Sequence, residues 1–307
     1  MPNLTTSTSV DNFLQATSQS GMREALGSVP TLGANTFTGL NVFPSGLWAH
    51  IGNDNGVSIG YFAGGTYSSN TSDQIAIGFF AGAGSTTAGS TSSVRIGRHA
   101  GYASIGPQQV CVGHAAGQYA YSSNNSVIIG YLAARNPSMT ALHYTFSSVI
   151  IGHETALNGV NNQTATIIGA QAGRAATNSV GSTIIGYAAG QNATNSAASV
   201  MLGNYAGWNS TNAVNSVLIG NRAGYSLSRS HSLVIESNPS FSDAGTSGLL
   251  YGEFDSRLLR FNATSMGFFG ATPTTRPNIT GSSGGNVALQ SLLSGLSSVG
   301  LITNSTS

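Results

Sequence analysis

Nine acidic residues, six histidines and one cysteine are the groups in this chain that could carry acid–base, metal or nucleophilic chemistry. Paired carboxylates flanking a glycosidic bond would let such a chain cleave polysaccharide by general acid–base work. Between residues 57 and 240 the carboxylates are Asp73, Glu154 and Glu236, each in a different stretch of the chain. Glu253 and Asp255 alternate on one face of an expected strand, which fits a solvated hairpin edge better than a catalytic dyad. The histidines lack the short spacings of a zinc site, and no G-x-S-x-G nucleophile elbow occurs. Cys111 stands in "VCVG" among aliphatic residues, reads as a small buried hydrophobe, and has no second cysteine to pair with. The sequence therefore assigns no catalytic residue, no metal ligand and no cofactor.

What positions these residues is a repeat. "VSIGYFAG" (57–64), "IAIGFFAG" (75–82), "VRIGRHAG" (94–101), "TIIGYAAG" (183–190) and "VLIGNRAG" (217–224) share one skeleton. The first glycines are Gly60, Gly78, Gly97, Gly113, Gly130, Gly152, Gly169, Gly186, Gly203 and Gly220, ten units with a modal step of 17 residues. Just before each glycine the residue is Ile, Val or Leu, and two residues earlier it is Val, Ile or Thr. Apolar positions two apart predict a short strand with one face in a core. The glycine then predicts a turn or a close backbone approach, and the Ser, Thr and Asn between units supply turn chemistry.

Seventeen residues cannot bury their own apolar stripe, so the units must stack as the rungs of a parallel coil. At about 4.8 Å per rung, ten rungs give a rod of roughly 50 Å. The expected fold is all-β: a parallel β-helix or β-roll with short helical N- and C-terminal segments. The alternation places the two regular columns in the core and turns the residue between them outward. That middle column becomes aliphatic in its C-terminal half: Ile128, Ile150, Ile167, Ile184, Met201 and Leu218. Six outward aliphatics would form a patch that monomers avoid, and the expectation is a homotrimer whose partner chains cover them. A monomeric coil covered by its own loops is the alternative.

Two further columns follow each glycine and vary freely. They hold Tyr61 and Phe62, Phe79 and Phe80, Arg98 and His99, then Tyr131, Tyr187, Tyr205 and Arg222. Aromatic and planar polar side chains on a rigid ladder suit sugar rings, although the same rings could pack a trimer axis or cap the N-terminal rungs. The longest step between glycines brackets 136–146, where His143, Tyr144 and Phe146 make a second candidate contact on a loop.

Composition bounds the rest. Only 6% of the residues are charged and every basic residue is Arg, so solubility rests on Ser, Thr, Asn and Gly. A net charge of +1 without a basic cluster argues against nucleic-acid binding. No stretch approaches the roughly 18 apolar residues of a membrane span, and the N-terminus lacks the pattern of a signal peptide. Four regions are expected: an assembly and attachment region (1–46), the repeat shaft (47–240), a hairpin cap (241–280) and a helical trimerisation segment (281–307). In the first, 8–26 could form two short helical turns and 35–43 a strand pair. In the third, "LLYGEFD" and "RLLRFN" read as a hairpin joined at Asp255–Ser256. In the last, Leu289, Leu292, Leu296 and Val299 are spaced as a coiled-coil seam of barely two heptads.

"DNFLQATSQSGMREALG" followed by "TFTGLNVF" resembles the N-terminal region of bacteriophage tail-fibre proteins. "LLYGEFDSRLLRFNATSMGFFGATP" resembles a segment near the C-termini of such fibres. The V-x-I-G-x-x-A-G rungs are similar to repeats in phage fibres and to the β-roll heads of trimeric autotransporter adhesins. The resemblance implies a non-enzymatic fibre in the virion, in contact with other virion proteins at one end and with host cell-surface glycan elsewhere. A head fibre or spacer of purely structural role, and a depolymerase tailspike with an inter-subunit site, are the alternatives.

Overall fold

The computed structural model describes residues 57–64, 74–84, 92–120, 122–136, 145–237, 248–267 and 269–306. The helical turns expected in 8–26 and the strand pair in 35–43 lie outside the described residues, as do His143 and Tyr144. The chain divides into residues 1–48 and 49–307, and the description below concerns the second unit.

That unit is mostly β and forms a parallel solenoid. Ten three-residue strands stack in sequence order: β1 (Val57–Ile59), β2 (Ile75–Ile77), β3 (Val94–Ile96), β4 (Val110–Val112), β5 (Val127–Ile129), β6 (Val149–Ile151), β7 (Thr166–Ile168), β8 (Thr183–Ile185), β9 (Val200–Leu202) and β10 (Val217–Ile219). Each pairs in parallel with the next, in the register that aligns the repeat: Val127 opposes Val149, which opposes Thr166. The four-residue β11 (Ser232–Ile235) continues the parallel stack. Hydrogen bonds between rungs run on beyond the strands, for example from Gly186 N–H to Ile168 O (2.9 Å) and from Ala188 N–H to Ala170 O (2.9 Å). On another side of the coil, Val160, Thr177, Thr194 and Thr211 form a second line of parallel bridges.

The expected facing of the strands is reversed. The middle residue of the strand points into the bore, and Ile128, Ile150, Ile167, Ile184, Met201 and Leu218 are each fully buried within their own chain. They are not contacts for a partner. The two regular columns on either side point out, and Ile59, Ile75, Ile96 and Leu202 are left about 40% exposed. The physical reason is the width of the coil. In the β8 rung the buried side chains are Ser182, Ile184, Ala188, Ala189, Ala193 and Ser196, so a single large aliphatic fills a bore otherwise walled by Ala and Ser. Two β-branched residues per strand would overfill it.

The serine before the strand, which reads as linker in the sequence, is also part of the bore. Ser182, Ser199 and Ser216 each accept a hydrogen bond from the backbone N–H one rung on, at 3.3, 3.2 and 3.0 Å. Buried hydroxyls therefore help hold the rung spacing while satisfying their own polarity.

At its C-terminal end the sheet turns antiparallel. β12 (Leu250–Glu253) pairs with β11, and β13 (Leu258–Phe261) pairs with β12 as the expected hairpin. Two small sheets follow, β14 (Ser265–Met266) with β15 (Thr274–Thr275), and β16 (Asn278–Gly281) in parallel with β17 (Thr303–Thr306). Between the last two lies α1 (Val287–Ser298), the one helix among the described residues, whose N-cap Asn286 accepts from Leu289 N–H. Leu293 of α1 is buried, whereas Leu289, Leu292 and Val299 of the expected seam are exposed.

Candidate binding ladder

The two columns after each glycine sit on a turn whose second residue adopts left-handed backbone in every repeat. Phe62, Phe80, His99, Ala115, Leu132, Glu154, Gln171, Ala188, Tyr205 and Arg222 all have φ between +51° and +59°. Such a conformation is uncommon away from glycine. It persists here because hydrogen bonds between rungs fix it, among them Phe80 N–H to Tyr61 O (2.9 Å) and Arg222 N–H to Asn204 O (2.8 Å). Side chains at these columns therefore repeat at the spacing of the rungs, which is close to the thickness of a stacked ring.

The result is a continuous ladder over the first six rungs. Tyr61 stacks on Phe79 (centroids 5.4 Å apart, planes at 14°) and Phe62 on Phe80 (5.2 Å, 18°). Phe79 and Phe80 each meet His99 at 5.7 Å, and the Arg98 guanidinium lies 5.7 Å from the Phe79 ring centre. His114 stacks on Tyr131 (5.2 Å, 19°) and Tyr131 on His153 (5.1 Å, 13°). Ala170 interrupts the column. Beyond it Tyr187 meets Tyr205 edge-on at 5.4 Å, with Arg222 5.9 Å from the Tyr205 ring centre.

Of the residues expected as contacts, Tyr61, Phe62, Phe79, Phe80, Arg98, His99 and Tyr131 thus belong to one ladder, and Tyr187, Tyr205 and Arg222 to a second. Tyr61, Phe62, Phe79, Tyr131 and Tyr187 are the exposed aromatics among them. Partial burial, and then electrostatic repulsion from Arg98, His114 and Arg135, push the His99 imidazole below its ordinary value. Imidazole and phenol rings offer flat faces with polar rims, the surface that stacks on a pyranose ring while hydrogen-bonding its hydroxyls.

Four aromatics were missed by sequence reasoning. Tyr102 packs on Tyr119 (5.5 Å) and Trp208 stacks on Tyr225 (4.7 Å, 17°). Tyr102, Trp208 and Tyr225 each stand five residues after a repeat glycine, and Tyr119 six after one. That third variable column was the signal that could have found them.

The carboxylates are engaged by neighbouring groups, and Ser256 donates to both Glu253 and Asp255. Glu253 accepts from Tyr251 Oη (2.6 Å) and from Arg229 (2.5 Å), and Asp255 accepts from Ser256 N–H (2.8 Å). Glu154 lies 3.7 Å from Arg174. Among the described residues no three His, Cys, Asp or Glu side chains gather as a metal site, and no helix is long and apolar enough to cross a membrane. No protein-family model, curated protein or solved structure matches this chain.

Proposed function

We propose that the chain is a non-enzymatic structural fibre of a bacteriophage tail, exposed on the virion as a homotrimer, which attaches to host-surface glycan through many weak contacts. The observation that carries this reading is the pairing of two long surfaces on one rigid coil. One is the aromatic ladder; the other is the pair of outward aliphatic columns that flank the buried one.

The aliphatic columns support self-association. Val57, Ile75, Val94 and their successors, with Ile59, Ile77, Ile96 and theirs, form an apolar stripe along β1–β10. Its length in rungs and its spacing match a second copy of the same coil, rung against rung, better than any globular partner. Leu289 and Leu292 on α1 and Val299 at its C-cap, with Leu259 and Phe261 on β13, are further exposed apolar residues at the same end of the chain. The partner that covers all of them is the chain itself, and other virion proteins would engage the region 1–46. Three copies present the ladder three times over, so avidity multiplies contacts that are individually weak.

Light scattering of the full chain tests the assembly: a mass of three times 31.1 kDa is expected, and one of 31.1 kDa would remove the stripe as an interface. Binding to intact host cells, with competition against phage adsorption, tests attachment. Saturable binding that blocks adsorption is expected. A trimer that neither binds cells nor competes would leave a head fibre or spacer as the function, and release of reducing ends from host polysaccharide would make it a depolymerase.

A further inference from the structure

Arg95 occupies the middle of β3, a column that holds Ile, Met or Leu in the C-terminal rungs. It is fully buried in the bore. Its neighbours in the column are Ala76, one rung before, and Cys111, one rung after. The aliphatic stem lies against two glycines: a Cβ would stand 2.5 Å from Arg95 Cδ at Gly101 and 3.1 Å from it at Gly82. These glycines and the small Ala76 make the room that a guanidinium needs inside so narrow a coil.

The hydrogen bonding is incomplete in a specific way. Arg95 Nη1 donates to Gln74 Oε1 at 3.0 Å, while Nε and Nη2 are buried and have no partner among the described residues. Nε–H and the adjacent Nη2–H are the two parallel donors of a guanidinium's side-on fork, the arrangement that grips an anion with two hydrogen bonds. Among the described residues, neither neighbour supplies a negative charge. Gln74 is neutral, and burial raises the Cys111 thiol to about 11, so it stays protonated at neutral pH. Elsewhere in the bore the unpartnered atoms of Ser179 and Ser196 are neutral hydroxyls, whereas Arg95 carries a full charge that deprotonation cannot remove. A buried charge without a counter-charge strongly destabilises a fold.

We propose that the solenoid encloses a small monovalent anion, a halide or an oxyanion of nitrate size, on the Nε/Nη2 fork of Arg95 between the β2 and β4 rungs. The ion neutralises the bore where its aliphatic file is broken, and it is taken up as the first rungs close.

Crystals of the full chain grown from sodium bromide provide the direct test. An anomalous peak within hydrogen-bond reach of Arg95 Nε and Nη2 is expected, and a bore without one would overturn the proposal. In solution, the thermal midpoint is compared in sodium chloride and in sodium gluconate, an anion too large for the bore, at equal ionic strength. Chloride at ten times its Kd should favour the folded state by about elevenfold, and Arg95→Met should abolish that preference. Equal midpoints in the two salts, or a preference that survives in Arg95→Met, would each refute the site. Should Arg95→Met not fold, the bromide crystals decide.

Discussion

Two glycines four residues apart in one rung should respond to the same substitution very differently. Gly186 has φ +139°, and a Cβ there would stand 2.3 Å from Gly203 O and 2.7 Å from its carbonyl carbon, backbone atoms of the next rung. That φ lies outside the narrow left-handed window open to L-residues, and holding alanine there costs about 1–3 kcal/mol. The clash must also push the rungs apart where Gly203 N–H meets Ile185 O at 2.9 Å, a hydrogen bond worth about 1 kcal/mol. Together Gly186→Ala should lose about 2–4 kcal/mol, at the upper end approaching the range of severe backbone or core damage. Gly190 has φ +59°, and its nearest obstacles are side-chain atoms, Ile184 Cγ2 at 3.1 Å and Met201 Sδ at 3.2 Å. Ala188 already holds φ +51° two residues earlier. Gly190→Ala should therefore lose about 1–2 kcal/mol, the ordinary cost of left-handed backbone. Guanidinium unfolding of both variants at one protein concentration measures the gap. Equal losses, or a milder effect at Gly186, would refute the claim that rung-to-rung backbone contact fixes the repeat glycine.

Neighbouring isoleucines should separate core from interface: Ile167→Ala, inside the bore, should lose about 2–5 kcal/mol, while Ile168→Asp should keep the circular dichroism of the fold and lower the mass seen by light scattering. Burial lifts the Cys111 thiol from its ordinary value of 9.0 to about 11, so below pH 9 its contribution to stability is complete, and it is lost as pH rises through 11. The difference between wild type and Cys111→Ala, followed by denaturant titration from pH 8 to 11.5, should fall by roughly 3 kcal/mol over that window, and a flat difference would mean an accessible thiol. Tyr131→Ala removes the ring between His114 and His153; it should change stability by less than about 1 kcal/mol because the site is exposed, yet weaken cell binding severalfold if the ladder is the contact surface.

The coil itself was legible because its constraints repeat. A glycine at a modal step of 17 residues, Val, Ile, Leu or Thr one and three positions before it, and turn residues between units leave a stack of parallel rungs as the economical answer. The hairpin at Asp255–Ser256 was legible for a local reason, two strand-like runs joined by a short polar turn. The binding columns were legible in part, since variation on a fixed scaffold marks a surface. Their continuity was not, because steps of 16 to 22 residues blur a column that backbone hydrogen bonds bring back into line.

The facing of the strands was not legible, and the reason lies in how regularity arises. In a wide sheet the most regular apolar column is the core. Here the bore holds one large residue per rung, and its demands can be met in several ways: Ala76 beside Arg95, Cys111 beside Gln109, Ile150 beside Ser148. Neighbouring rungs trade volume, so the inner column varies. The outer columns vary less, Val, Ile or Thr in one and Ile, Val or Leu in the other, although one chain leaves Ile59 and Leu202 about 40% exposed. Columns open to water have no such need for aliphatic residues at all positions but Thr166 and Thr183; polar residues would serve them better. Uniformity on the outside therefore argues for a uniform neighbour. The expectation of a partner chain attached to Ile128 and Leu218 rested on the wrong residues, and the same argument holds with greater force for Val127, Ile129, Val217 and Ile219.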